Sequence, residues 1–332
     1  MRALVIHRYG GPDVLHLETL REPIPGPRDL LITVHAASLN PIDFKIRQGK
    51  LHQVERYRFP LLLGCDVAGV VAQVGADVTG FAVGDEVFAR LEKHRMGGLA
   101  EMVVADASVV ARKPAALSFI EAAALPLAGL TALQALEEVA ELRPGQRVLI
   151  HAGAGGVGTL AIQIARLLEL EVATTTSTRN IDLVRSLGAT TIVDYTKQDF
   201  TKELKDLDAV FDTLGETELQ DLAVVKPGGV VVGIGGLPDE EFARARKVSL
   251  PVRLALRVLT ARRRRAYAKA GVRFRYLFMR PDGAQLGRLG AWAQQGALKP
   301  VIHAIFPFAE VKAAFEELER GRARGKIVVQ IQ

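Results

Sequence analysis

Three glycines form the part of the sequence with the clearest chemistry. Gly153, Gly155 and Gly158 are spaced as Gly-x-Gly-x-x-Gly, between the apolar run 148–150 and a segment with apolar residues at three- and four-residue spacing. In a strand–turn–helix unit, the first glycine permits the tight turn and the second lets a pyrophosphate approach the backbone. The third lets the helix pack on the strand, and free N–H groups at the helix start attract phosphate. The pattern therefore predicts a dinucleotide site.

The next predicted strand indicates which dinucleotide binds. Residues 171–176 end in Thr176 and are followed by Ser177, Thr178, Arg179 and Asn180, with no acid at that end. An NAD site usually places Asp or Glu there, on the ribose hydroxyls. Hydroxyl donors with a guanidinium suit a dianionic ribose 2′-phosphate instead, which predicts NADPH. The alternative is that Ser177 or Asn180 caps a helix and Arg179 is a solvated charge.

The composition is typical of a globular enzyme. The chain has 332 residues, 49% hydrophobic and 24% charged, with a net charge of +6. No segment approaches 20 uncharged apolar residues, which argues against a transmembrane helix. The single cysteine, Cys65, excludes an internal disulfide. The N-terminus leads directly into a predicted strand rather than a signal peptide, so we expect a cytoplasmic protein.

The order of predicted elements indicates two domains. Short strands separated by Gly, Pro and Asp turns run to about residue 115, which is typical of a β-barrel-like domain. Alternating strands and helices follow, and strands return near residue 300. We expect an α/β protein in which a doubly wound Rossmann domain, 124–300, is inserted into a barrel domain formed by 1–123 and 301–332. The ligand cleft would lie between them.

Several ordered motifs carry a resemblance over the full length of the chain. The sequence resembles the zinc-free quinone oxidoreductase branch of the medium-chain dehydrogenase/reductase superfamily, the group that includes zeta-crystallin. Its C-terminal third is most similar to reticulon-interacting-type oxidoreductases. The resemblance implies a GroES-like barrel as the catalytic domain and a homodimer, formed through an edge strand such as 230–234. The motifs are those at 10–15, 38–49, 64–71, 83–87, 98–101, 129–132 and 307–326.

The resemblance also bears on metal. Zinc enzymes of this superfamily carry Cys at the position of Asn40 and Gly-His-Glu at the position of Gly64-Cys65-Asp66, together with a loop of four cysteines. Zinc sites need three or four Cys, His or carboxylate ligands. With one cysteine, neither site can form in the family's manner, and we expect no metal. An improvised site of Cys65, Asp66 and His94 or His52 is the remote alternative.

The resemblance implies a set of cofactor contacts. Ala154, Gly155, Gly156 and Val157 would meet the pyrophosphate through their backbone, beside Gly153. Ser177, Thr178 and Arg179 would take the 2′-phosphate. For Tyr195 and Phe278 a place in the core is an equal alternative. The remaining matched positions, on the adenosine and nicotinamide sides, are Thr131, Tyr195, Leu214, Gly233, Ile234, Phe278 and Lys326.

The catalytic candidates lie in the segment 40–45. Lys45 stands where many quinone oxidoreductases carry Tyr and related enone reductases carry Lys, so its ammonium could stabilise a developing enolate; the alternative is a solvated lysine. Asn40 would orient Lys45 or the substrate carbonyl, or cap a helix. Asp43 is three residues from Asn40 and four from Arg47, so an Asp43–Arg47 ion pair would give it a structural role.

A basic segment has several interpretations. Residues 244–280 contain thirteen Lys or Arg and no Asp or Glu, with Arg262–265 consecutive and apolar residues interleaved from 250 to 259. The simplest interpretation is a solvated basic face that steers NADPH. The competing ones are an anionic membrane surface, a nucleic acid backbone or the phosphates of coenzyme A.

These observations predict an NADPH-dependent, zinc-independent reductase of quinones or α,β-unsaturated carbonyls. Hydride arriving at a conjugated carbon sends charge onto the carbonyl oxygen, which a few donors stabilise without a metal. One alternative is a 2-enoyl-CoA reductase. The other is an NADPH-binding protein whose main partner is RNA or an anionic membrane.

Overall fold

The computed structural model describes residues 1–52, 57–245 and 248–332, except for the side chains of Glu241 and Ala245. Arg246 and Lys247 of the basic segment therefore lie outside the described residues. The chain divides into two compact units. Unit 1 comprises residues 1–130 and 280–332, and unit 2 comprises residues 131–279. Among the described residues, no helix is both long and apolar enough to traverse a bilayer.

The N-terminal part of unit 1 consists mainly of antiparallel strands. β3 is central: it pairs with β5 on one side, with β7 over its first half, and with a C-terminal strand over its second half. Ser118 and Glu121 form a capping box at the start of α2. The elements are β1 (Arg2–Ile6), β2 (His16–Thr19), β3 (Asp29–Leu39), α1 (Pro41–Arg47), β4 (Leu61–Leu62), β5 (Asp66–Val74), β6 (Glu86–Arg90), β7 (Met102–Asp106), β8 (Val110–Arg112), α2 (Phe119–Ala123) and α3 (Pro126–Leu133).

Unit 2 is a six-stranded parallel sheet with helices. Its strand order is 3-2-1-4-5-6 when the strands are counted along the chain, which is the doubly wound Rossmann order. Its strands bury Val, Ile, Leu and Phe on both faces, as parallel strands covered by helices do. The elements are β9 (Arg147–Ile150), α4 (Gly156–Leu167), β10 (Glu171–Thr176), α5 (Ile181–Leu187), β11 (Thr191–Asp194), α6 (Phe200–Glu203), β12 (Leu207–Asp212), β13 (Val225–Gly233), α7 (Glu240–Ala245), α8 (Leu250–Leu259), α9 (Ala261–Ala270) and β14 (Arg273–Tyr276).

The chain then returns to unit 1. It forms α10 (Gly283–Gln294), β15 (Ile302–Pro307), α11 (Val311–Glu319) and β16 (Lys326–Gln330). β16 pairs with β3 antiparallel, so the last strand lies beside the strand that leads to Asn40. The core of this unit packs residues from β3, β5, β6 and β16 with Val311 and Phe315 of α11. The structure thus has the two predicted parts, a strand-rich unit formed from both ends of the chain and a Rossmann sheet formed from the segment between those ends.

Two details differ from the expectations. Residues 124–130 and 280–300 group with unit 1, because α10 packs on β8 and the turn at 107–109. The prediction that 230–234 forms an edge strand is wrong, because β13 is paired on both sides, with β12 and β14. β14 lies within the segment that we interpreted only by its charge, and it continues the sheet beyond β13.

Candidate active site and cofactor-binding residues

Asn40 is placed by the junction between β3 and α1. Its backbone is extended, with φ −133° and ψ 152°, and Pro41 occupies the first helical position. The Asn40 N–H donates to Oδ2 of Asp43 at 2.8 Å. Such a bond across the first turn fixes where the helix begins and ties the Asp43 side chain to the Asn40 backbone. Both are buried, at 2% and 0% exposure.

Asp66 organises the polar groups around Asn40. It begins β5 and lies opposite Ser38 of β3 in the antiparallel register. Its Oδ2 accepts from Ser38 Oγ at 3.1 Å and from Asn40 Nδ2 at 2.9 Å. Its Oδ1 accepts from the Leu127 N–H, at the start of α3, at 3.0 Å. A buried carboxylate with this many donors holds its neighbours in one arrangement.

Lys326 brings a positive charge into this cluster. It begins β16, next to the pairing of Ile327 with Leu39. Its ammonium donates to Oδ1 of Asn40 and to the Leu39 carbonyl oxygen at 3.1 Å, and it lies 3.6 Å from Oδ2 of Asp66. Only 4% of the residue is exposed. Burial lowers the pKa of Lys326, while Asp66 and Asp43 act in the opposite direction.

Asp43 and Cys65 complete the buried group. The Cys65 thiol donates to Oδ1 of Asp43 at 3.2 Å. Burial, only partly offset by the Asn40 N–H and the thiol, raises the pKa of Asp43 to about 6. Burial, followed by the charge of Asp43, raises the pKa of the Cys65 thiol. We call Asn40, Asp43, Cys65, Asp66 and Lys326 the barrel cluster.

α1 carries Asp43 and Arg47, for which the sequence predicts an ion pair, and the catalytic candidate Lys45. The predicted Asp43–Arg47 ion pair is wrong: the Asp43 carboxylate is committed to Asn40 and Cys65, while Arg47 pairs with Glu319 at 2.9 Å. Lys45 is exposed on the same helix. Neighbouring protein desolvates its ammonium and thereby lowers its pKa, with a further contribution from the charge of Lys50. Asn40 is oriented by Asp66 and Lys326.

In the glycine turn of unit 2, the packing has no room for a side chain at two of the three glycines and has room for one at Gly155. A Cβ on Gly158 would lie 2.3 Å from the Ala152 carbonyl oxygen, and one on Gly153 would lie 2.1 Å from Thr174 Oγ1. A Cβ on Gly155 would meet only the Ala152 oxygen, at 3.2 Å, and the φ of Gly155 is an ordinary −77°. Packing therefore demands Gly153 and Gly158, whereas Gly155 leaves a gap at the N-terminus of α4, and helix N-termini are places that attract phosphate.

The carboxyl end of β10 holds the predicted 2′-phosphate residues. Thr176 is buried, Ser177 is half-buried and Arg179 is exposed. Thr178 Oγ1 donates to Oδ2 of Asp194, the last residue of β11 and the register partner of Thr176. The sequence analysis missed this acid because it comes from the neighbouring strand. Hydrogen bonds from Thr178 and Thr196 hold the pKa of Asp194 below its usual value.

Comparisons with known proteins identify the family. Residues 26–115 match the family described as alcohol dehydrogenase GroES-like domain, and residues 187–329 match the zinc-binding dehydrogenase family. The NAD(P)H oxidoreductase RTN4IP1, mitochondrial, of Danio rerio is 36% identical over 100% of this chain and 91% of its own length. The chain belongs to the medium-chain dehydrogenase/reductase superfamily.

Two further relatives narrow the class within this superfamily. The NADPH-dependent alkenal/one oxidoreductase, chloroplastic, of Arabidopsis thaliana is 36% identical over 99% of this chain and 79% of its own length. The solved structure of the quinone oxidoreductase from Coxiella burnetii aligns with a TM-score of 0.87 and 34% identity, over 100% of this chain and 99% of that one. The protein is therefore an oxidoreductase that uses a nicotinamide cofactor.

The superfamily's zinc does not fit the residues present. Asn40, Cys65 and Asp66 stand where the zinc enzymes carry their ligands, but Cys65 is turned towards Asp43. Asn40 Oδ1 accepts from the Lys326 ammonium, which is also paired with Asp66. Within the described ranges, no three His, Cys, Asp or Glu residues are grouped to hold a metal ion. The Lys326 ammonium therefore lies among the residues that correspond to the zinc ligands.

The remaining cofactor candidates mostly follow the carboxyl ends of the sheet strands. Tyr195 follows β11 and is 62% exposed, so it is not a core aromatic. Leu214 follows β12 and is 48% exposed, Gly233 ends β13, and Ile234 follows it. Phe278 follows β14 and packs near Phe242, with ring centroids 5.8 Å apart. Thr131 is buried in α3, and Lys326 lies in the barrel cluster.

A second buried cluster contacts the backbone at the start of the glycine turn. His151, which follows β9, contacts Thr175 Oγ1 through Nδ1 and Asp221 Oδ1 through Nε2, both at 2.9 Å. The Ala152 N–H also reaches Thr175 Oγ1, at 3.3 Å. Burial raises the pKa of Asp221 to about 6, against the hydrogen bond from His151. The sequence analysis gave His151 no role, because Asp221 is seventy residues away.

Proposed function

We propose that this protein is an NADPH-dependent reductase of α,β-unsaturated carbonyls and quinones that works without a metal. The observation that carries the proposal is the barrel cluster. At the position of the superfamily's zinc ligands, an ammonium is hydrogen-bonded to Asn40 and paired with Asp66. The names of the alkenal/one and quinone oxidoreductase relatives support the same substrate class.

The chemistry of the two possible reactions favours reduction. Oxidising an alcohol requires loss of its proton, for which a Lewis acid is the usual device. A conjugated carbonyl or a quinone accepts a hydride more readily, and the charge that develops on its oxygen can be met by hydrogen-bond donors. When bound, the nicotinamide cofactor supplies the hydride, and the protein orients the reactants and delivers a proton.

Lys45 is the proposed proton donor. Its ammonium is at the surface of α1, and its lowered pKa brings it closer to neutral pH, where a general acid is most effective. Asn40 is a positioning residue, because its amide is engaged at Nδ2 by Asp66 and at Oδ1 by Lys326. Asp43 holds the start of the helix that carries Lys45.

Selectivity for NADPH rests on Arg179 and Ser177. The Thr178 hydroxyl is engaged by Asp194, so the exposed guanidinium of Arg179 is the principal candidate for the 2′-phosphate. Replacing Arg179 with Gln should raise the KM for NADPH about tenfold, because a charge-assisted hydrogen bond contributes about 1.5–3 kcal/mol. The KM for NADH should not change. Arg185→Gln is the matched control, since Arg185 is also exposed in unit 2.

The glycine turn allows cofactor binding to be tested apart from folding. Gly155→Ala should leave the Tm almost unchanged, because its Cβ meets a single atom at 3.2 Å. The same change should raise the Kd for NADPH about tenfold by filling the gap at the helix start. Gly158→Ala should lower the Tm, because its Cβ would lie 2.3 Å from backbone. If Gly155→Ala bound NADPH normally, the pyrophosphate would not lie at this turn.

The deciding experiment measures NADPH oxidation by metal-stripped protein with a quinone, a short enone and a short enoyl-CoA side by side. NADH, and an alcohol with NADP⁺, serve as controls. Turnover of the quinone or enone that a chelator does not diminish is the expected result. Lys45→Met should lower kcat about a hundredfold or more for the enone, as loss of a general acid does. Tight NADPH binding without turnover of any substrate would refute the reductase assignment.

We also propose a homodimer. Among the strands described, β14 pairs only with β13, so its other edge is available to a second copy. Light scattering on the purified protein measures the mass directly, and a monomeric mass at working concentration would contradict the proposal.

A further inference from the structure

α8 presents an apolar surface outward. Leu250, Leu254 and Val258 recur every four residues, and each is largely exposed, at 64%, 54% and 74%. Residues four apart lie only about 40° apart around a helix, so these three form one continuous line. Leu259, at the end of the helix, is 65% exposed as well. We call these four residues the apolar strip.

This orientation is the reverse of an ordinary surface helix. A helix at the surface of a globular protein normally turns its apolar stripe inward, as α4 does with Leu160, Ile162 and Ile164 buried. In α8 no residue is buried, and Pro251 and Ala255 on the outward face are exposed too. Arg253 lies between the exposed side chains and is only half-exposed. Contiguous exposed apolar surface of this kind marks an interaction site.

α9 holds a basic surface next to the strip. Arg263 is buried: it pairs with Glu218 at 2.7 Å, and its guanidinium lies 4.0 Å from the centre of the Phe274 ring. Tyr267, one turn later, donates to the Glu218 carbonyl oxygen at 2.5 Å. These contacts set the rotation of α9 about its axis. As a result Arg262, Arg264, Arg265 and Lys269 are exposed, together with Arg257 of α8.

The combination selects one kind of partner. Single-stranded nucleic acids bind through phosphate contacts and base stacking on aromatic rings, and α8 contains no aromatic residue. The phosphates of a coenzyme A thioester would use the arginines and leave the strip exposed. An anionic bilayer uses both features, because apolar side chains enter the acyl boundary and arginines meet lipid phosphates. No acid lies between residues 244 and 280, and Glu240 of α7 lies 3.9 Å from Arg264 and leaves Arg262 and Arg265 to the lipid phosphates.

We propose that α8 and α9 dock the protein peripherally on an anionic lipid surface, with the apolar strip inserted at the headgroup boundary and the exposed arginines on lipid phosphates. The helix lies along the surface and does not cross it. The inference does not depend on the proposed reaction, so it can fail while the reductase assignment stands.

The test is co-sedimentation of the full-length protein with vesicles. The two vesicle types are phosphatidylcholine alone and phosphatidylcholine with one third phosphatidylglycerol. We expect binding to the anionic vesicles, weak binding to phosphatidylcholine alone, and a loss of binding as salt screens the arginines. Equal binding to both vesicle types, or binding to neither, would overturn the proposal.

Paired variants separate the two contributions. The double variant Leu254→Glu, Val258→Glu should weaken vesicle binding about tenfold or more, because two charges then face the acyl boundary. Arg262→Glu, Arg265→Glu should weaken it comparably and reduce its salt dependence. Ile24→Glu is the matched control, since Ile24 is 90% exposed in unit 1. NADPH oxidation in solution should be the same for all three variants and thereby reports folding.

Two alternative partners of α8 and α9, a second copy of the chain and RNA, would give different results with the same variants. If the strip joined two copies of the chain, Leu254→Glu, Val258→Glu would lower the mass measured by light scattering and leave vesicle binding intact. If the partner were RNA, the arginine variant would lose salt-sensitive binding to a single-stranded RNA, and the strip variant would keep it. Either result would overturn the proposal.

Discussion

Each unit buries a carboxyl group whose pKa is raised to about 6, Asp43 in unit 1 and Asp221 in unit 2, but their surroundings differ. The barrel cluster adds a second carboxylate, Asp66, and a buried ammonium, Lys326. The cluster at the glycine turn pairs Asp221 with the imidazole of His151. The barrel cluster therefore depends on the positive charge of the Lys326 ammonium.

The second arrangement can be satisfied without a net positive charge. With its proton on Nε2, a neutral His151 donates to Asp221 and accepts from the Thr175 hydroxyl, whose oxygen in turn accepts the Ala152 N–H. This chain of bonds ends in the backbone of the glycine turn, so it braces the place where a cofactor phosphate would bind. The two clusters therefore differ in kind: the barrel cluster contains a buried ion pair, whereas the His151 cluster links side chains to the backbone of the glycine turn.

The largest effect on stability is expected from removing the Lys326 ammonium, which has no counterpart in the His151 cluster. Lys326→Met leaves Asp66 buried without its cation, and breaking a buried ion pair on one side typically destabilises a protein by about 3–5 kcal/mol. Urea unfolding at neutral pH measures the change. Lys202→Met is the control, since that lysine pairs only at the surface, and it should change stability little. The double variant Lys326→Met, Asp66→Asn should recover part of the loss; no recovery would contradict the pairing.

The next prediction concerns the pH dependence of stability. Because the folded pKa of Asp43, about 6, exceeds its unfolded value of 3.8, the folded state keeps the proton longer. Its contribution is therefore fully present below about pH 4 and is lost as the pH rises through 6, in total about 3 kcal/mol. Asp43→Asn removes this titration, so the variant should gain on the wild type by that amount between pH 4 and 7.

Unfolding measured at a series of pH values checks this prediction and extends the comparison. Asp221→Asn is the matched variant in unit 2 and carries the same sign, because the pKa of Asp221 is raised in the same direction. A wild-type protein whose stability rose from pH 4 to 6 relative to Asp43→Asn would contradict a raised pKa at Asp43.

A smaller effect is expected at the imidazole. His151→Leu removes the partner of Asp221, and losing a hydrogen bond to a buried charged group costs about 1.5–3 kcal/mol. Because the brace to the glycine turn is lost as well, the Kd for NADPH should rise. Denaturation and fluorescence titration measure the two effects. A variant that lost stability but bound NADPH as tightly as the wild type would contradict the role in bracing the turn.

The smallest effect on stability is expected from removing the Thr175 hydroxyl alone. Thr175→Val removes the link between His151 and the Ala152 N–H and should cost about 1 kcal/mol, together with a rise in the Kd for NADPH. Thr190→Val is the control: it too removes one threonine hydroxyl, but that hydroxyl donates to the Val172 backbone oxygen, at the other end of β10. Equal NADPH affinity in the two variants would show that the link does not reach the turn.

Much of unit 2 could be predicted because its signals are local. The spacing of Gly153, Gly155 and Gly158 and the apolar strands each act over a few residues, and the structure has the corresponding elements. β14 was missed because its four residues, Arg273–Tyr276, alternate basic and aromatic side chains within a strongly basic segment. The site residues of unit 2 remain predictions, apart from the neighbours that the structure gives them.

The sequence by itself determined the fold class, the glycine turn and the family, because backbone preferences and short motifs are encoded in contiguous residues. Only the tertiary structure decided which distant groups meet. Strand pairing sets Lys326 beside Asn40, and Asp194 beside the end of β10. Rotation of a helix about its axis, fixed by its packing, decides whether leucines face the core or the solvent. Register and rotation depend on contacts between segments far apart in the chain, so no local pattern records them.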